Sequence, residues 1–290
     1  LRNFSTNWTT GAASGATVVF TADSASETNI TWGGSADAPT VVNTPGTAGS
    51  ASSKSANTIT YGAVAIDEDA TEDASIETIT LNGYGVATLG AAQSLDALTA
   101  LSLANSDGAV TLTTAQTALD LTVDTVEDAV SLDGGGASIA DLTINAVGDD
   151  SEFALTAANV ENLTIAATAD LDISGSTIGS GNSLATVEIS GAGAVDLGTV
   201  QTSTSLDSFD ASANTGGVTA TVDADAADVG DIEEYIFSAG DDDVTLNDDT
   251  VSVDVQLGDG DDVLTLNSFA NAASNTTLTA TLDGGAGSNT

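Results

Sequence analysis

The sequence predicts an all-β chain, a right-handed parallel β-solenoid with a small N-terminal β-rich cap. Three observations predict it. A hydrophobic phrase, apolar-x-x-apolar-x-apolar, recurs eight times: Ile76/Ile79/Leu81, Leu98/Leu101/Leu103, Ala118/Leu121/Val123, Ile139/Leu142/Ile144, Val160/Leu163/Ile165, Leu184/Val187/Ile189, Leu206/Phe209/Ala211 and Ile232/Tyr235/Phe237. Its middle positions lie 22, 20, 21, 21, 24, 22 and 26 residues apart, and a near-constant period of this size marks a stacked, one-dimensional architecture. Hydrophobic residues make up 41% of the chain but aromatics only 4%, so the core must be thin and filled by small aliphatic side chains.

Residues 1–75 lack the repeat and are rich in Ser, Thr, Ala and Gly. Ala16–Thr21 and Thr58–Ile66 alternate like strands. Residues 33–57, with Pro39 and Pro45, read as a loop or linker. A cap is expected here, because an uncovered first rung would offer unpaired backbone groups to other chains.

Residues 76–237 form the repeat. Each unit carries a second short run: Val86–Leu89, Val110–Leu112, Val130–Leu132, Phe153–Leu155, Leu171–Ile173, Val195–Leu197, Val218–Val222 and, just beyond, Val244–Leu246. Gly, Asp, Asn and Ala lie between, residues suited to tight turns. One unit is therefore strand, turn, strand, turn. Alternation puts Leu101 and Leu103 on one face and Ser102 on the other. Leu101, Leu121, Leu142 and Leu163 are expected in one register, and eight rungs at about 4.8 Å span roughly 40 Å. A leucine-rich repeat has a similar period, but its Asn or Cys ladder and its convex helix have no counterpart here.

The charge narrows function. Against 43 acidic residues stand Arg2 and Lys54 alone, with no His, for a net charge of −41. Nucleic acid and anionic lipid are excluded as partners, since both need Lys and Arg. Self-repulsion of this size disfavours a compact state unless cations screen it. Cys is absent, so disulfides, thiolate sites and Cys nucleophiles are excluded; without His, Ser-His chemistry is excluded too. Ser53-Lys54-Ser55 falls in the linker, no acidic pair stands apart from the rest, and both basic residues lie outside the solenoid, so no enzyme is expected. Sequons at Asn3, Asn7, Asn29, Asn162 and Asn275 are accounted for by an Asn- and Thr-rich composition. No apolar run reaches the roughly 20 residues of a membrane span and no signal peptide is visible. The chain reads as a piece of a longer precursor.

Residues 238–290 change character. Gly240-Asp241-Asp242-Asp243-Val244 is followed by Gly258-Asp259-Gly260-Asp261-Asp262-Val263-Leu264, and then by Gly284-Gly285-Ala286-Gly287-Ser288-Asn289. These resemble the nonapeptide G-G-x-G-x-D-x-U-x of repeats-in-toxin (RTX) proteins, in which U is a large apolar residue. The second copy fits with Gly258, Gly260, Asp262 and Leu264; the first keeps Gly240, Asp242 and Val244; the third has Asn289 where Asp is usual. Calcium takes six to eight oxygens from carboxylates and carbonyls, and glycines fold tightly enough to aim carbonyls inward. The resemblance implies calcium between successive turns, with Asp242 and Asp262 as main ligands, carbonyls from Gly240, Gly258 and Gly260, and Asp241 and Asp261 as secondary ligands. The alternative is ion-free Gly-Asp turn chemistry; Asp doublets beside the glycines favour calcium.

The Ala/Thr/Ser/Gly/Asp-rich repeats, with Val160-Glu161-Asn162-Leu163-Thr164-Ile165 and Leu206-Asp207-Ser208-Phe209-Asp210-Ala211-Ser212, resemble bacterial surface-layer (S-layer) proteins of the RTX type over about residues 76–290. The resemblance implies type I secretion, folding outside the cell in calcium, and self-assembly into a cell-surface lattice or extracellular filament, with surface polysaccharide as a further partner. A stalk of a large RTX adhesin and the calcium-binding region of a secreted RTX enzyme are the alternatives.

Overall fold

A computed structural model describes residues 8–10, 18–22, 40–43, 61–68, 75–134, 139–179, 184–202, 206–224, 235–247, 252–267 and 279–290. Ser53-Lys54-Ser55, Ile232 and the sequons at Asn3, Asn7, Asn29 and Asn275 lie outside them. The described residues contain strands and no helix, and the strands wind into a parallel β-solenoid of about eight turns.

The strands form three sheets. The first, of twelve strands, runs β1 (Trp8–Thr10), β2 (Val18–Ala22), β5 (Thr78–Asn82), β7 (Ala100–Ser106), β9 (Ala118–Val126), β11 (Asp141–Ala146), β14 (Asn162–Ala167), β17 (Thr186–Gly191), β19 (Ser208–Asn214), β21 (Tyr235–Ile236), β23 (Ser252–Gln256) and β25 (Thr279–Asp283). The second, of seven, runs β16 (Thr177–Ile178), β13 (Leu155–Ala157), β10 (Val130–Gly134), β8 (Val110–Thr113), β6 (Ala87–Leu89), β4 (Val64–Asp67) and β3 (Thr40–Asn43). The third, of six, runs β12 (Ser151–Glu152), β15 (Leu171–Asp172), β18 (Val195–Thr202), β20 (Val218–Ala224), β22 (Asp243–Asn247) and β24 (Val263–Asn267). Every pairing is parallel except β1 with β2 and β3 with β4. Those two antiparallel pairs lie at the N-terminal edges of the first and second sheets.

A two-strand unit does not describe every rung. The second runs of the early repeats, β6, β8 and β10, build the second sheet; those of the late repeats, from β15 onward, build the third. The two middle rungs carry both, as β11-β12-β13 and β14-β15-β16. Phe153–Leu155 is accordingly not one strand. Phe153 sits buried at the corner between β12 and β13. A continuous apolar period cannot show on which of two faces a short run pairs.

The repeat phrase also slips by two residues between β9 and β11. Leu101 pairs with Leu121, and Leu142 with Leu163, but Leu121 pairs with Ile144 while Leu142 pairs with Leu119. Because side chains alternate with a period of two, a two-residue offset leaves every inward residue inward. The nine-residue β9 accommodates it by burying Leu119, Leu121 and Val123, leaving Ala118 exposed. At the following corner four residues, Val147–Asp150, stand where the previous rung has Asp124 and Thr125.

The core is one continuous column of buried Leu, Ile, Val and Ala from Ile76 to Leu257. At about 25 cal/mol per Å² of apolar surface removed from water, this burial is the main stabilising term. Toward the C-terminal end it holds an aromatic cluster: Phe209 and Phe237 have ring centroids 5.1 Å apart, and Tyr235 stacks on Phe237 at 6.4 Å. No helix among the described residues is long and apolar enough to cross a membrane.

Candidate metal centre

The corner between the first and third sheets carries the glycine-rich segments. Three facts fix its alignment. Thr219 pairs with Asp243, and Asp243 with Val263. So Val218, Asp242 and Asp262, one residue earlier, stand on successive rungs. On the next rung, Asn289 accepts a hydrogen bond from the Asp262 N–H at 3.1 Å. The preceding members of this column are Ser151, Leu171 and Val195. It points into the core. Leu171, Val195 and Val218 are buried, and Asp242 and Asp262 are 2% and 0% exposed. The Asp of the motif thus occupies an apolar core position of the earlier rungs.

Glycine makes the corner close enough for this. Gly216, Gly240, Gly260 and Gly287 stack, and a Cβ on any of them would collide with backbone of the preceding rung. Gly258 (φ +85°) and Gly260 (φ +141°) also adopt left-handed backbone open chiefly to glycine.

The two inward carboxylates differ. Asp242 Oδ1 accepts the Val218 N–H at 2.6 Å and the Ser238 hydroxyl at 2.7 Å, and its Oδ2 accepts the Ser238 N–H at 3.0 Å. Asp262 Oδ1 accepts the Asp242 N–H at 3.1 Å, but Oδ2 is buried with no hydrogen-bond partner. Burial pushes the Asp242 carboxyl up to about 6, against the lowering effect of its hydrogen bonds. It also raises that of Asp262, helped by the charges of Asp241, Asp261 and Asp259. A buried carboxylate oxygen with no donor is costly. Among the described residues the other such atom is Tyr84 Oη. That phenol, pushed up to about 12 by burial, is neutral and calls for no counter-ion.

Asp241 and Asp261 lie outside the corner, exposed. Each caps the next turn: Asp241 Oδ1 accepts the Asp261 N–H at 2.8 Å and Asp261 Oδ1 the Ser288 N–H at 2.8 Å. Asp259 Oδ1 does the same for Ala286 at 3.2 Å. The structure therefore brings Asp242 and Asp262 together inside the turns, along with Gly240, Gly258 and Gly260, and keeps Asp241 and Asp261 apart from them.

The donor set is all oxygen, which suits a hard cation such as calcium. Among the described residues no three carboxylates converge as a ready-made site. Asp242 and Asp262 would supply the charge, and glycine carbonyls the remaining oxygens. The bare Asp262 Oδ2 fits such a group; Asp242 already accepts three hydrogen bonds, two on Oδ1 and one on Oδ2, and has room on Oδ2 alone.

Sequence reading missed the residues that close the neighbouring turns, Asn214, Ser238 and the amide of Asn289. Buried Asn214 donates Nδ2–H to the Gly193 carbonyl at 2.9 Å and accepts the Gly216 and Gly217 N–H groups on Oδ1 at 2.9 and 3.1 Å. Aligning Gly216 with Gly240 and Gly260 would have placed Asn214 above Ser238 and Gly258. No known protein family, curated protein or solved structure matches this chain.

Proposed function

We propose that this chain is a secreted, non-enzymatic structural protein, held shut by calcium at its C-terminal corner, that assembles with copies of itself into a cell-surface layer or extracellular filament. The observation that carries the reading is the pair of inward carboxylates on successive rungs, Asp242 and Asp262, one of them with a bare buried oxygen. In a chain of net charge −41, an acidic pair in an apolar column has a physical rationale if a cation neutralises it outside the cell. The rod-like fold, the lack of His and Cys and the resemblance to RTX-type surface-layer proteins support the structural role and the extracellular location. Calcium would be held by Asp242 and Asp262 with carbonyls of Gly240, Gly258 and Gly260, and would supply the positive charge that the corner lacks.

Binding to the folded state alone stabilises it by about 2.7 kcal/mol for one site at a hundredfold excess over Kd. Electron microscopy and circular dichroism of the purified chain, in calcium and in excess EGTA, test the proposal. Ordered assemblies and higher β content in calcium are expected. An unchanged spectrum in EGTA at moderate salt removes the calcium part. A calcium-stabilised monomer that binds a surface without polymerising replaces the lattice with an adhesin stalk.

A further inference from the structure

Four consecutive turns share this corner, and three are closed from within. In the turn ending at Val218, Asn214 takes both roles, its carbonyl accepting two backbone N–H groups and its amide donating to the rung before. In the turn ending at Asp242, the Ser238 hydroxyl bonds the carboxylate and accepts the Gly240 N–H at 3.0 Å. In the turn ending at Asn289, that residue accepts the Asp262 N–H and donates its Nδ2–H to the Gly284 carbonyl. The turn ending at Asp262 has glycine where its predecessors have Asn214 and Ser238, and it alone of the four retains a bare buried oxygen.

We infer that the amides of Asn214 and Asn289 are built-in substitutes for a cation in the turns around Asp262, so that these four turns take one ion and no more. The inference rests on the calcium reading above and sharpens it to a count and a position. The chemistry is direct. A primary amide offers a donor where a carboxylate offers only acceptors. It therefore satisfies a carbonyl that would otherwise face a carboxylate oxygen, with no positive charge needed. Asn289 stands in the column of Asp242 and Asp262, so exchanging its amide for a carboxylate recreates the situation at Asp262 one rung further on.

Calorimetric titration of the whole chain with calcium tests this, on wild type, Asp262→Asn and Asn289→Asp. Asp262→Asn should bind one ion fewer than wild type, and Asn289→Asp one more. Hydrogen exchange on wild type is the second measurement, should Asn289→Asp fold poorly. Removing calcium should deprotect residues 252–262 and leave 206–218 unchanged. An unchanged count in a folded Asn289→Asp, a loss of two or more ions in Asp262→Asn, or calcium-dependent protection at 206–218 overturns the inference and leaves calcium binding standing. A wild-type chain that binds no calcium at millimolar concentration overturns both.

Discussion

The turn from Asn214 to Val218 and the turn from Gly258 to Asp262 bend the same corner of the same solenoid, two rungs apart. The first is neutral, its buried polar atoms paired through a side-chain amide, with Val218 in the core. The second places a carboxylate where Val218 stood and leaves one oxygen bare. The glycine column runs through both, but the backbone bends differently: the first turn takes positive φ at Gly217 (+99°), the second at Gly258 (+85°) and Gly260 (+141°). The difference teaches that one β-solenoid corner can be built around an amide or around a charge; under the calcium proposal above, only the charged version would make closure depend on the solvent outside.

The comparison can be broken most severely from the core both turns share. Phe209→Ala removes the ring packed on Phe237 and should cost about 3–5 kcal/mol in calcium and in EGTA alike, read by denaturant melts. A calcium-dependent loss would mean that the two regions do not share a core.

A smaller effect concerns protons. Asp242 has a folded value of about 6 against an ordinary 3.8, so the folded state binds the extra proton between these values. Its stability contribution is fully present below about pH 4 and is lost as pH rises through about 6. For the metal-free chain this amounts to about 2 kcal/mol between pH 4 and pH 7. It should appear as the difference in pH dependence between wild type and Asp242→Asn. Identical pH profiles would place this carboxylate in solvent.

Asn214→Ala leaves the Gly216 and Gly217 N–H groups and the Gly193 carbonyl unpaired, and should cost about 1–3 kcal/mol, with or without calcium. Recovery of that loss by calcium would contradict the contrast drawn between the two turns. At the low end, Val86→Thr changes an exposed side chain at 57% accessibility and should move the unfolding midpoint by no more than about 0.5 kcal/mol. A larger loss would show that this position is covered.

Much of the fold was legible because the apolar phrase reports a period and the short second runs report alternation. Leu101, Leu103, Leu142, Ile144, Leu163 and Ile165 all point inward as read. The division into three sheets was hidden, because runs such as Leu112 and Leu197 are equally apolar whichever face they join. So was the two-residue slip between β9 and β11, since Leu119 and Leu121 are interchangeable in an apolar pattern. At the corner, the motif located Asp242 and Asp262 as candidate ligands but not their depth. The Asp side chains are already inside the core. Asn214 escaped notice because an Asn in a Gly-rich turn looks like ordinary turn chemistry until its partners across rungs are known.

The slip at β9 also bears on how such a chain changes over generations. A single-residue insertion in a strand turns its buried half outward unless a bulge absorbs it, as at buried Leu197 in β18 opposite β20, whereas a pair of residues leaves the pattern whole and asks only for a longer loop at the next bend, as at Val147–Asp150. Length variation among descendants of this sequence should therefore accumulate in even steps or as bulges within strands, and in any step at the bends.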